Sequence, residues 1–280
     1  MTQPSTTTPP ADLEAVKRKQ QATWASGDYS AIGALIPIIS EDLCDAADLR
    51  AGSRVLDVAG GSGSTALAAA RMFCDVVSLD YVPSLLERGR ERAAAEHLPV
   101  RFVEGDAEAL PFEDASFDAV ISVVGVMFAP DHERAAGELV RVCRPGGTIG
   151  LASWTPQGFI GGLLKTVGKH VPPPAGARSP ALWGTRARLA ELFGPHAASI
   201  KLAQRNFVFR YRSPEHWLEI FKGCYGPVLK AFAALEPAAQ AELRCDLLAL
   251  IRQFNRAEDG TMVVPGEYLE IVITRSPSHP

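Results

Sequence analysis

One short run constrains this chain more than any other: VLDVAGGSGSTALAAA, residues 55–70. A β-branched, apolar start followed by clustered glycines and then by alanines reads as strand, tight turn and helix. Gly61 and Gly63 let the backbone pass close to a ligand, and a helix starting near Ser64 aims its unpaired N–H groups at whatever lies there.

The rest of the chain repeats the alternation. RVLDV (54–58), DVVSL (75–79), VRFVEG (100–105), DAVISVV (118–124) and GTIGLASW (147–154) are short apolar runs, and STALAAARMF, VPSLLERGRERAAAEH and HERAAGELVRVC between them are helical. Strands alternating with helices of this length predict βαβ units, a parallel sheet and right-handed crossovers. Nearly continuous apolar character fits strands covered on both faces. RNFVFRY (205–211) and EYLEIVITR (267–275) add two further strands, with helical patterns between them. Ahead of the first strand, Asp28 is positioned to cap a helix carrying Ile32, Leu35, Ile36, Ile39 and Leu43, which Pro37 kinks or divides.

The glycines alone do not choose a ligand. Gly61-x-Gly63-x-x-Ala66 fits a dinucleotide fingerprint, with Asp80 about 20 residues on, where a ribose-binding acid belongs. Asp57, at the strand end, argues against a pyrophosphate and for a ligand carrying an ammonium and a sulfonium, whose carboxylate still gains about 0.3–1 kcal/mol from the helix N-terminus.

Four segments in order, VLDVAGGSG, LDYVPSLLERGRERA, VEGDAEALPFEDASFDAVIS and ELVRVCRPGGTIGLASW, resemble the motifs of class I S-adenosylmethionine-dependent methyltransferases. The resemblance covers roughly residues 50–155 and is nearest to the small-molecule branch that includes ubiquinone/menaquinone C-methylase-like enzymes. It implies an α/β, Rossmann-like, mostly parallel sheet of seven strands, order 3-2-1-4-5-7-6, with the last strand antiparallel. It also implies S-adenosylmethionine as cofactor, with the turn from Asp57 through Ala59 and Gly61 to Gly63 wrapping the methionine half and Asp57 near the ammonium. By the same resemblance Asp80 would accept from both ribose hydroxyls, Tyr81 would lie against the adenine, Asp106 would take the adenine amino group and the Ala107 N–H would meet a ring nitrogen, and Ser122 would begin a cofactor-facing loop.

The chain departs from that pattern twice. Ala59 stands where the first glycine is usual, which suggests backbone angles that suit a Cβ. Met127 and Phe128 stand where many relatives carry a His pair, so no histidine base is assigned there, and neighbouring His132 reads as a helix-start residue. Methyl transfer from a sulfonium needs no protein nucleophile, since holding the partners in line does most of the work. No catalytic residue is therefore assigned.

The acceptor pocket is expected at the carboxyl ends of the strands beside the switch point of the sheet. Its candidate walls are Phe128, Trp154, Trp183 and Tyr225, with Trp24 and Tyr29 closing from the N-terminal helices. Aromatic walls suit a flat or apolar small molecule.

With 28 basic and 32 acidic residues the net charge is −4, which argues against nucleic acid as partner. Arg88, Arg90 and Arg92 alternate with glutamates and read as a solvated helix face. Neither a signal peptide nor an apolar run near the roughly 18 residues of a membrane helix is present, so no membrane partner is expected and the cytoplasm is the default. Five scattered cysteines form no metal constellation and read as buried reduced thiols.

The expected organisation is a disordered tail (1–10), N-terminal helices (11–52), a cofactor-binding core (53–155), the remainder of the fold (156–275) with a helical lid at 212–266, and a second tail (276–280). Two other functions remain open to this sequence: a NAD(P)-dependent oxidoreductase using the same turn, and a non-catalytic S-adenosylmethionine-binding regulator. Oligomeric state is not legible.

Overall fold

The computed structural model describes residues 12–174 and 177–277. The tail expected at 1–10, and residues 278–280 of the second, lie outside the described residues.

Seven strands form one sheet: β1 (Arg54–Val58), β2 (Asp75–Asp80), β3 (Val100–Glu104), β4 (Phe117–Val123), β5 (Cys143–Trp154), β6 (Ala197–Tyr211) and β7 (Met262–Arg275). Their order is β3-β2-β1-β4-β5-β7-β6. The first five pair in parallel, and β7 runs antiparallel to both neighbours, as the resemblance implied. Val55, Leu56 and Val58 of β1 are wholly buried, which explains the unbroken apolar run of a central strand.

Three helices precede β1: α1 (Leu13–Trp24), α2 (Tyr29–Gly33) and α3 (Pro37–Ala46). Pro37 divides the N-terminal pattern by opening α3, where its missing N–H costs nothing. Asp28 precedes α2, but its carboxylate makes no capping bond there.

Helices α4 (Ser64–Arg71), α5 (Pro83–Ala95) and α6 (His132–Val142) are the crossovers of the parallel half. Asp131 caps α6 by accepting from the Arg134 amide at 3.0 Å, a bond worth about 1 kcal/mol. That fixes a helix whose Ala135, Ala136, Leu139, Val140 and Val142 are buried. Helices α7 (Phe159–His170) and α8 (Arg186–Phe193) follow β5, and α9 (Pro214–Cys224), α10 (Gly226–Ala234) and α11 (Pro237–Phe254) lie between β6 and β7.

Both late strands are longer than their apolar runs. The first half of β6 is largely exposed at the sheet edge and carries no continuous apolar signal. In β7, Pro265 pairs with Val208 of β6 beyond the part of β7 that also pairs with β5, so its missing donor falls on the open side. Of the cysteines, Cys44, Cys74 and Cys143 are buried, whereas Cys224 is half-buried and Cys245 exposed.

The N-terminal helices and the segment between β6 and β7 meet backbone to backbone. A Cβ on Gly27 would strike the Cys224 carbonyl, and one on Gly226 the Thr23 carbonyl.

Candidate active site

The strand order reverses between β1 and β4, so the loops leaving these strands part and open a cleft. It is lined by Ala59 and Gly61 after β1, Asp80 and Tyr81 at the end of β2, Gly105 to Glu108 after β3, and Val124 to Val126 and Phe128 to Pro130 after β4. Lys17 and Trp24 of α1, and Tyr29 of α2, close its remaining side. Counting its open mouth it encloses about 660 Å³, within the range of cofactor-sized sites.

The turn is held from beneath. Gly61 takes φ +55°, and a Cβ on Gly60 would collide with Asp57 Oδ2 and Ser78 Oγ. Ala59 also lies in the left-handed region, at φ +52°. Its Cβ is therefore tolerated against the backbone's preference, which corrects the expectation that these angles suit an alanine. Val124, across the cleft, has φ +52° as well. Two strained residues face each other where β1 and β4 end, a clustering common at ligand sites.

Asp80 ends β2 with its carboxylate split between two backbone donors: Oδ2 accepts from Gly61 at 2.9 Å and Oδ1 from Val82 at 2.9 Å. Burial pushes its pKa up to about 6, against the pull of those amides. Each oxygen keeps a further lone pair for a ligand hydroxyl.

Asp57 is placed differently from the expectation. It is wholly buried beneath the turn and does not line the cleft. Its Oδ2 accepts from the Ala66 amide at 3.1 Å and the Ser78 hydroxyl at 3.2 Å, while Oδ1 has no partner among the described residues. Burial, with the Asp80 charge adding to it, raises its pKa to about 7. Gly63, at φ +79°, opens α4 and packs on Phe102 rather than lining the cleft. Ser122 likewise points inward: its Oγ donates to the Val58 carbonyl at 2.7 Å and accepts from the Val126 amide at 2.9 Å, tying the end of β1 to the turn that carries Phe128.

On the other side, Asp106 accepts from the Glu108 amide through Oδ1 and from Lys17 Nζ through Oδ2, at 2.9 and 2.7 Å. Ala107 sits between these acids on the cleft wall. Lys17 also meets Glu108 Oε2 at 2.6 Å. Neither Lys17 nor Glu108 is assigned by sequence reasoning, because their pairing spans a separation that no local spacing encodes. Arg92 is a second surprise. While Arg88 and Arg90 form exposed pairs with Glu91 and Glu87, Arg92 donates to the Ser62 carbonyl at 2.8 Å and braces the turn.

Three of the six aromatic candidates, Trp24, Tyr29 and Phe128, line the cleft. The Trp24 ring lies 4.9 Å from Phe128, 5.5 Å from Tyr29 and 5.6 Å from Tyr225, all edge-on. Tyr225 is buried behind this group. Trp154 and Trp183 do not belong to the cleft. Trp154 packs on Phe209 and Tyr268, and Trp183 on His132 and Phe193, in the core. His132 is buried with it, and burial followed by the charges of Arg188 and Arg178 pushes its pKa down to about 4. Burial, reinforced by Asp80, pushes the Tyr29 hydroxyl up to about 12.

A sheet of this order, with a glycine turn and acidic strand ends around one cleft, defines the fold of a class I methyltransferase. Residues 56–151 match the methyltransferase domain family. A Mycobacterium tuberculosis protein, Rv1405c, is 42% identical over 260 residues, covering 91% of this chain and 94% of that one. Demethylmenaquinone methyltransferase of Deinococcus radiodurans is 36% identical over 168 residues, 57% of this chain and 70% of that enzyme. The crystal structure of the YcgJ protein from Bacillus subtilis superposes with a TM-score of 0.59 at 19% identity, over 86% of this chain and 99% of that one. The chain belongs to the class I S-adenosylmethionine-dependent methyltransferases. It is an enzyme of that type with S-adenosylmethionine as its cofactor, so the nicotinamide and non-catalytic alternatives fall away. The residues present fit that group: Gly61 leaves the turn without a side chain over the cleft, and Asp80 offers two buried carboxylate oxygens.

Proposed function

We propose that this enzyme methylates a small, aromatic or apolar acceptor by in-line displacement. The observation that carries the reading is the aromatic wall of Trp24, Tyr29 and Phe128, backed by Tyr225, in the same cleft as the Gly61 turn and Asp80. The bound cofactor supplies a methyl group on a sulfonium, a good leaving group.

The chain's own residues hold and shield. Asp80 accepts from the ribose hydroxyls with the lone pairs its backbone donors leave free, and Asp106 accepts from the adenine amino group. The Ala107 amide meets a ring nitrogen and Tyr81 lies along the ring. Gly61 and Ala59 bring backbone against the methionine half, while Asp57, Gly63 and Ser122 keep that turn in shape from outside the cleft. Trp24 and Phe128 exclude water, and Tyr29 orients the acceptor as a hydrogen-bond donor. Its raised pKa keeps it protonated at neutral pH, so it takes no proton. Tyr29 is thus not the base, and an acceptor that carries a proton on its attacking atom gives it up to solvent, before it enters the cleft or after it leaves. Helices α9 to α11, in the 212–266 segment, serve as a lid behind the aromatic wall.

We further read the protein as cytoplasmic, with no nucleic-acid partner; among the described residues no helix is long and apolar enough to cross a membrane. The test is incubation with isotopically labelled S-adenosylmethionine and a panel of quinols, phenols and amines, read by mass. A product heavier by one methyl supports the reading. Cofactor binding without transfer to any small acceptor, alongside transfer to a protein or nucleic acid, would sink it.

A further inference from the structure

Helix α1 is anchored at its C-terminal end, where the Thr23 carbonyl meets Gly226 of α10 and Trp24 packs on Tyr225; ahead of that anchor its polar contacts run to the cleft it covers. Val16 is its one buried residue. Lys17, Gln21 and Trp24, spaced by four and three, share one helical face, and each contacts the wall of the cleft. Lys17 Nζ reaches Asp106 Oδ2 at 2.7 Å and Glu108 Oε2 at 2.6 Å. Gln21 Nε2 donates to the Tyr81 carbonyl at 2.5 Å. Trp24 enters the aromatic wall.

The partner of Lys17 makes the contact specific. Glu108 is 3% exposed. Its Oε1 accepts from the Asp131 amide at 2.8 Å, and Oε2 faces Lys17. A carboxylate so far from water needs a counter-charge, and the one that meets it here comes from α1, a helix distant in sequence. With α1 lifted, Glu108 loses that partner; with α1 down, the ammonium bridges two acids beside the adenine end of the cleft and seals that end.

We propose that Lys17 is a positioning residue that latches α1 across the cofactor cleft, so that exchange of the cofactor and its demethylated product requires the Lys17 contacts with Asp106 and Glu108 to break. This rests on the assignment of the cleft to S-adenosylmethionine. Gln21 is the weaker second tether, and the Thr23–Gly226 contact is the pivot: when the Lys17 end of α1 swings away, the adenine end of the cleft opens while Trp24 stays in the acceptor wall.

The experiment measures release of S-adenosylhomocysteine from the full chain by stopped-flow displacement, with hydrogen–deuterium exchange over residues 13–24. Lys17→Met should release the product about tenfold faster or more, as expected when a charge-assisted bond that holds the bound state is lost, and α1 amides should exchange faster. Lys17→Arg should restore most of the slow release, which a merely structural role does not require. Should Lys17→Met leave Glu108 too exposed a burden for folding, the double variant Lys17→Met/Glu108→Gln removes the orphaned charge and should release equally fast. Release within twofold of the unaltered protein in whichever of these folds, with α1 exchange unchanged, overturns the latch and leaves the cofactor site intact. If the unaltered protein itself fails to bind S-adenosylhomocysteine, the cleft assignment falls and the latch with it.

Discussion

The Gly61 amide donates to Asp80 Oδ2 at 2.9 Å, joining the glycine turn after β1 to the carboxylate that ends β2. One side chain thus shapes the turn and faces the cleft, so changing it disturbs both.

Asp80→Ala should weaken S-adenosylmethionine binding by roughly 10- to 100-fold, the cost of losing hydrogen bonds to a charged acceptor. Calorimetric titration reads this, and equal affinity would remove the ribose assignment. Because burial raises the Asp80 pKa to about 6, affinity should also fall as pH drops below that value and the carboxylate takes a proton. Asp80→Asn should bind weakly with no such inflection.

Asp57 gives a pH effect on stability of definite sign. Its folded pKa of about 7 lies above the unfolded value. The stabilisation from holding its proton is therefore complete below about pH 4 and disappears as pH rises through about 7, a loss on the order of 4 kcal/mol. Asp57→Asn carries no ionising group there, so its stability relative to the native protein should rise across that interval. Urea denaturation at pH 5 and pH 8 measures it; a pH-independent difference would count against the buried, uncompensated carboxylate.

Ala59 occupies the left-handed region at a cost of about 1–2 kcal/mol, against which a glycine loses about 0.5–1 kcal/mol of chain entropy. Ala59→Gly should then stabilise the fold by about 0.5–1 kcal/mol, visible as a higher Tm. A lower Tm would mean that the alanine methyl contributes packing worth more than the strain.

Trp183 and Phe128 separate core from cleft. Trp183→Phe should cost about 1–3 kcal/mol through the cavity it leaves and leave both KM values unchanged, because the ring does not line the cleft and its Nε1 has no partner among the described residues to lose. Phe128→Ala should raise KM for the acceptor much more than for the cofactor. The reverse pattern would take Phe128 out of the acceptor wall.

The central strands β1, β2, β4 and β5 of the parallel half are legible because they are mostly buried and apolar on both faces, so their runs mark them directly; edge strand β3, half-exposed, is marked by its β-branched and aromatic residues and the Gly105 turn that follows. Edge strand β6 was only half visible, its first residues exposed and free to be polar. Within the cleft, Asp80 and Gly61 could be read from motif spacing, since both act at strand ends next to their own turn. Asp57 carries the same motif signal but points beneath the turn, a direction spacing does not encode. Lys17 could not be found at all: its partners are reached only after the chain has crossed four further helices and three strands. Aromatic residue type did not separate Trp154 and Trp183 from Trp24, because large rings serve core and pocket equally.

The backbone contacts at Gly27 and Gly226 bind the chain's beginning to the stretch before its last strand. In a chimaera of two related enzymes, neither piece can be transplanted alone: a donor insertion arriving without its own N-terminal helices would bring a side chain or a shifted carbonyl into a seam with no slack. Acceptor preference in such hybrids should follow the pair as a single cassette, and recombination points belong at either edge of the parallel sheet rather than inside either helical segment.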